Sequence, residues 1–182
     1  MGRLTAIVLG SAAGGGFPQW NCRCPTCLLA WAGDRRVRPR TQASLAVTGD
    51  RENWVLINAS PDLPQQIRQS QALRPRNGTR GSPIKAVLLT GAEIDQVAGL
   101  LSLREREPFR LYATAVTLAT LAENAMFGVL APDVVTRKAV VAAAVFMLPG
   151  GLQAQLFTVP GKVPLYLECD SPETASETCR AR

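Results

Sequence analysis

Cys22, Cys24 and Cys27 lie within one six-residue window, Cys-Arg-Cys-Pro-Thr-Cys, so three of the chain's five cysteines share a single loop. Thiolates are the ligands that borderline and soft cations select, and zinc takes them at the corners of a tetrahedron. A C-x-C-x-x-C spacing offers three such ligands from one tight turn, and a structural zinc site is the expectation. The competing readings are three reduced surface cysteines or a C-x-x-C dithiol with redox chemistry. The fourth ligand is open at this point: Cys169, Cys179, Asp34, water and a segment outside this sequence are all candidates.

A second group with chemical potential is Thr90-Gly-Ala-Glu93-Ile-Asp95-Gln96. Thr90 and Glu93 match the T-x-x-E capping box, which gives Glu93 a purely structural use. Glu93, Asp95 and Gln96 also place two carboxylates and an amide where a strand is expected to end and a helix to begin. Ligands bind at such junctions in α/β sheets, and oxygen donors of this kind hold hard cations. Asp95 is the first choice for a functional residue. Arg38 and Arg40, with Asp62, form a third set: they serve turn chemistry, or they grip an acidic substrate, since arginine pairs carboxylates bidentately.

The chain of 182 residues contains no histidine. Ser-His-Asp and Cys-His catalysis are therefore excluded, as is a histidine-ligated metal centre built from this chain alone. Gly10 and Gly14-Gly15-Gly16 follow a predicted first strand, yet neither the Walker pattern nor G-x-G-x-x-G is present. A sharply turning backbone is the better reading.

The elements that must position these groups follow from apolar periodicity. Leu4–Leu9 reads as a buried strand, residues 11–40 as irregular, and 44–48 with 54–58 as a hairpin. Residues 62–73 suggest a short helix with Pro61 and Pro64 at its entry, 84–90 a strand, and 93–106 a helix. A strand over 110–113 and a helix over 116–126 follow, and 134–147 and 152–159 read as strands of a second sheet. This mixture of hairpins and crossovers predicts a layered α/β sandwich. The chain ends without a helix to close its last sheet, which suggests an incomplete domain.

Net charge is +6, apolar residues make up 47%, and aromatics only 5%. The basic balance suits acidic small molecules, while scattered arginines and few aromatics give no support to nucleic-acid binding. The apolar N-terminal run is too short for a signal peptide, and the longest apolar run, 139–148, is too short to cross a bilayer. A cytoplasmic protein with no membrane span is the expectation.

The residues Leu9-Gly-Ser-Ala-Ala-Gly-Gly-Gly-Phe-Pro-Gln-Trp-Asn-Cys22-x-Cys24-x-x-Cys27 resemble the opening of the pyrroloquinoline quinone (PQQ) biosynthesis protein B family. Pro39-Arg40-Thr-Gln, Leu56-Ile-Asn58-Ala-Ser-Pro-Asp62 with Gln65-Gln66-Ile67, and Gly99-Leu-Leu-Ser-Leu-Arg-Glu105 resemble it too. The similarity covers residues 1–167 as the N-terminal part of such a domain and leaves 168–182 as an acidic, disordered tail. It implies a metallo-β-lactamase-like αββα sandwich whose second half is shortened.

The resemblance further implies iron-dependent hydroxylation of the tyrosine-derived ring of a peptide-derived PQQ precursor, with zinc on the cysteine loop. The alternatives it implies are a carrier for PQQ or its precursor toward the periplasm, or an inactive truncated copy. Its partners would be that precursor and other proteins of PQQ biosynthesis. The parent superfamily's H-x-H-x-D-H ligand positions fall on Gly91, Glu93, Asp95 and Gln96. Only the aspartate matches, and Gln96 stands where the PQQ family commonly keeps histidine. Glu93 and Asp95 are then the expected catalytic residues, with Gln96 as a third ligand to the active-site metal, and Arg38, Arg40 and Asp62 as substrate contacts.

Overall fold

The computed structural model describes residues 4–76, 78–160 and 164–167. Its main sheet has six strands in chain order: β1 (Thr5–Gly10), β2 (Ser44–Thr48), β3 (Trp54–Ile57), β4 (Ile84–Leu88), β5 (Phe109–Ala113) and β6 (Val135–Ala139). β1, β2 and β3 run antiparallel, and β3 to β6 run parallel. Each parallel step needs a crossover, and the helical segments supply them: α2 (Leu63–Gln69), α3 (Ile94–Val97) continued by a 3-10 turn over Ala98–Leu103, and α4 (Ala115–Glu123). A separate antiparallel hairpin joins β7 (Val145–Leu148) to β8 (Leu152–Gln155).

Side chains alternate across the sheet and build two apolar layers. Trp54, Leu56, Val87, Phe109 and Leu111 face the helical side, where they meet Leu63, Leu73, Leu100, Leu121 and Leu130. Val55, Ala86, Leu88 and Tyr112 face the other way and are covered by Val140, Leu148, Phe146 and Leu152 from β7, β8 and their approaches. Tyr112 stacks on Phe146 with ring centroids 6.0 Å apart. Burying each large side chain contributes about 1.5–3 kcal/mol, so these layers dominate stability. The margin of the second face, Val8, Leu45, Val145 and Met147, stays exposed.

The hairpin, the parallel crossovers and the strand at 84–88 follow the sequence pattern. Three expectations change. Residues 134–147 are not one strand of a second sheet: β6 completes the main sheet beside β5, and the chain turns at 140–144, with Ala143 at φ +65°, before β7 begins. The irregular stretch 11–40 contains a helix, α1 (Pro25–Trp31), capped by Cys24 and started by Pro25, whose missing N–H costs nothing there. The helix predicted over 93–106 is one α-helical turn and then 3-10, with Gly99 pressed onto Ala59 and Ser60: a Cβ there would sit 2.2 Å from the Ser60 carbonyl oxygen. The tail 168–182, including Cys169 and Cys179, lies outside the described residues.

Candidate functional site

The cysteine loop is a knuckle at the start of α1. Cys24 is the N-cap, its Sγ accepting from the Cys27 N–H at 3.5 Å, and Cys22 Sγ accepts from the Cys24 N–H at 3.5 Å. The three sulfurs lie within 4.8 Å of one another, with Cys24 exposed, Cys22 half-buried and Cys27 5% exposed. The Cys27 backbone N–H, and after it the Cys22 side chain, holds the Cys24 thiol below the ordinary thiol range. Cys27 moves the other way: a backbone contact with Gln19 lowers it, but burial and the two neighbouring thiols outweigh that. Three converging sulfurs of this kind can hold a tetrahedral thiophilic cation after a small inward shift. Asp34 does not join them. Its carboxylate is taken by Arg36, Oδ1 accepting from the backbone N–H at 2.9 Å and from Nε at 3.0 Å, Oδ2 from Nη2 at 2.8 Å.

Upstream of the knuckle, the glycine turn carries the chain from β1 toward the cysteines. Gly15 and Gly16 have φ of +93° and +76°, which side-chain-bearing residues rarely adopt. Gly15 N–H donates to Gln42 Oε1 at 3.2 Å. Gly14 lies against Asp95: a Cβ on it would stand 3.6 Å from Asp95 Oδ2. The glycine turn therefore lies against the Asp95 loop, although the two are some eighty residues apart in sequence.

The Asp95 loop is held by a capping box that lies three residues later than expected, with Glu93 at the N-cap and Gln96 at N3, and by hydrogen bonds around Thr90. Asn58, at φ +60°, pairs with Thr90: Asn58 Nδ2 donates to Thr90 Oγ1 and Thr90 N–H donates to Asn58 Oδ1, both at 2.9 Å. That pairing removes Thr90 as a cap, and the N-cap of α3 is Glu93. Gln96 Oε1 accepts from the Glu93 N–H at 3.2 Å and Gln96 Nε2 donates to Thr90 Oγ1 at 3.4 Å, so both ends of its amide are engaged. Among the described residues, Glu93 and Asp95 do not gather with a third Cys, Asp or Glu into a metal-sized group. Tyr166 approaches the same loop, its hydroxyl donating to the Ala92 carbonyl. Burial, and then the Glu93 charge, raises its phenol above the usual range. Nothing in the sequence around Tyr166 signals this contact.

The basic candidates divide between two cavities. Arg40 and Asp62 line a cavity of about 400 Å³ with Gly10, Gly15, Gly16, Gln65 and Gln69, whereas Arg38 lines a separate cleft of about 250 Å³ with Asp34 and Arg35. Asp62 Oδ2 accepts from Gln42 N–H at 2.8 Å and from Gln42 Nε2 at 3.1 Å. It occupies the N-cap position of α2 but makes no side-chain cap bond there. Beneath the cavity Gln66, 1% exposed, donates from Nε2 to Thr41 Oγ1 at 3.1 Å and to the Gln42 carbonyl at 2.9 Å, and accepts from Ser60 Oγ at 3.1 Å. Sequence reading missed this buried set. Its one signal was glutamine in an otherwise amphipathic helix.

The pattern of a beta-lactamase superfamily domain matches residues 53–179. Over 96% of its length the chain is 58% identical to the coenzyme PQQ synthesis protein B of Methylobacterium nodulans, and it spans 58% of that protein. The crystal structure of zinc-bound PqqB from Methylobacterium extorquens superposes with a TM-score of 0.89 at 56% identity, covering 92% of this chain and 56% of that one. A diphosphatase of the PhnP family superposes with a TM-score of 0.61 at 25% identity, over 81% of this chain and 55% of that chain. The chain thus spans a little over half the length of the relatives it matches.

Proposed function

The chain belongs to the beta-lactamase superfamily and, within it, to the coenzyme PQQ synthesis protein B family, and from that premise we propose that it serves in making PQQ by metal-dependent hydroxylation of the tyrosine-derived ring of a peptide-derived precursor. Cys22, Cys24 and Cys27 hold a structural Zn²⁺ that ties α1 to the glycine turn. Iron, when bound at the 90–96 loop, supplies the activation of oxygen. Asp95 and Glu93 offer the carboxylate oxygens there, with Asp95 placed against Gly14. Gln96 steadies the loop through Glu93 and Thr90, and becomes a ligand only by releasing that bond. Arg40 receives a substrate carboxylate in the cavity it shares with Asp62, and Arg38 adds to the field that attracts an acidic substrate.

The observation that carries this reading is the meeting of Gly14 and Asp95, which seats the glycine turn after β1 on the acidic loop. The test uses a bacterium lacking its own PQQ synthesis protein B. Supplying this chain restores PQQ to the culture, and the purified protein holds zinc and iron. Asp95→Ala abolishes PQQ and removes iron while zinc stays.

A second reading, a carrier that binds PQQ or its precursor without turnover toward the periplasm, is favoured by one observation. The chain has no histidine, and among the described residues Glu93 and Asp95 lack a third metal-ligating neighbour. In that case the strain makes no PQQ, the protein holds zinc only, and equilibrium dialysis finds stoichiometric PQQ binding. Neither PQQ formation nor PQQ binding would leave both readings without support.

The remaining expectations stand as parts of the same proposal: action in the cytoplasm, and contact with other proteins of PQQ biosynthesis. No helix among the described residues is long and apolar enough to cross a membrane.

A further inference from the structure

We propose that the cysteine knuckle is a thiol-oxidation site at which Cys24 and Cys27 close a reversible disulfide and Cys22 is left out; the release of zinc that accompanies it rests on the zinc reading of the knuckle, the pairing of the sulfurs does not. All three cysteines are free thiols, and their sulfurs already lie within 4.8 Å of one another, within reach of side-chain rotation. They are not equivalent. Cys24 is exposed and meets an oxidant in solvent first, whereas Cys27 is 5% exposed and sheltered from it. An accessible sulfur is attacked, and a sheltered neighbour survives to resolve it. Cys24 and Cys27 are three residues apart in the turn that Pro25 opens, a spacing that sets side chains next to each other, and the Cys27 N–H donates to Cys24 Sγ at 3.5 Å. A Cys22–Cys24 bond would instead close over the single residue Arg23, in a shorter and more strained ring. Cys22 is also held outside the turn, its carbonyl accepting from Trp31 Nε1 at 3.3 Å and its sulfur from the Cys24 N–H at 3.5 Å.

The oxidant is a peroxide. The Cys24 thiolate attacks one peroxide oxygen, the O–O bond breaks, hydroxide leaves with the bonding pair, and Cys24 becomes a sulfenic acid. The Cys27 thiolate then attacks the Cys24 sulfur, an S–S bond forms, and the S–O bond breaks with its pair leaving on a second hydroxide. Solvent protonates both hydroxides. Two electrons pass from the sulfurs to the peroxide, which ends as two waters. Zinc loses two of its thiolates in the process and is released. The fourth ligand of the zinc, whichever group supplies it, takes no part in the step. A phosphine or an excess of small thiol returns the two electrons and restores both cysteines.

The experiment treats the full chain with a few equivalents of hydrogen peroxide, blocks free thiols with iodoacetamide and maps tryptic peptides by mass, while a chromogenic chelator follows zinc. Trypsin cuts after Arg3, Arg23, Arg35, Lys162 and Arg180, so Cys22 falls on peptide 4–23, Cys24 and Cys27 together on 24–35, and Cys169 and Cys179 on 163–180. Peptide 24–35 should lose two hydrogens and take no label, peptide 4–23 should keep its label, and one zinc should leave for each pair formed. Phosphine should restore both labels on 24–35. In Cys27→Ser the Cys24 sulfenic acid has no resolving partner and should be trapped by dimedone. A cross-link of 24–35 to 4–23 or to 163–180, or unchanged labels at a dose that oxidises free cysteine, overturns the inference and leaves the zinc reading standing. A pair closed with zinc still bound overturns it as well. A chain that holds no zinc beforehand yet closes the 24–35 pair supports the pairing and removes the zinc reading.

Discussion

Asp50 shows how much one exposed side chain can organise. In the β2–β3 turn its carboxylate accepts from Asn53 Nδ2 at 2.6 Å, from the Asn53 and Glu52 backbone N–H groups at 2.8 and 2.9 Å, and from Thr48 Oγ1 at 3.0 Å. Asn53 first, through its side chain and then its backbone, holds the Asp50 carboxyl well below the usual carboxylate range. A depressed folded-state pKa contributes stability that is complete above the unfolded value, near 4, and is lost as pH falls below it. Asp50→Ala should therefore cost about 1 kcal/mol in urea unfolding at pH 7, with the gap to the parent narrowing below about pH 4. A gap independent of pH would show that the carboxylate charge is not what matters. At this scale the cysteine spacing was legible because its geometry is local. The role of Thr90 was not, since its hydroxyl is claimed by Asn58 from 32 residues away and the cap passes to Glu93.

Among the elements, α2 does more than close a crossover. Gln66 points its amide under the cavity and satisfies Thr41, the Gln42 carbonyl and Ser60 at once, while Thr41 Oγ1 continues the chain to the Leu9 carbonyl at 2.9 Å. Gly10 belongs to the same contact: a Cβ there would be 2.1 Å from the Gln42 carbonyl oxygen. Gln66→Leu keeps volume but strands buried polar groups, and should cost about 3 kcal/mol, read as a lower urea midpoint at unchanged slope. A loss under about 0.5 kcal/mol would mean water replaces the amide without penalty. Strands and crossovers were readable from apolar periodicity. The helix α1 was not, because its seven residues carry no two-turn apolar stripe and its start signal is a cysteine rather than Ser, Thr, Asp or Asn.

For the whole molecule, the sheet order β1 to β6 puts the glycine turn, the Asp95 loop and the Arg40 cavity around one end of one layer. The second face is covered only in part, by β7 and β8. The layered α/β class was readable from the alternation of elements, whereas the assignment of β6 to the first sheet depended on a turn at Ala143 that no glycine or proline announces. On the proposed zinc reading the knuckle would tie the first strand's exit to α1 by metal bonds instead of by apolar area, and an ion bound by the folded chain alone raises its stability by mass action. Metal content of the freshly purified chain, paired with thermal unfolding, tests this most directly. One zinc per chain is expected, lost in Cys24→Ser and Cys27→Ser together with several degrees of melting temperature. A chain that carries no zinc, and that melts unchanged when those thiols are replaced, would contradict the account.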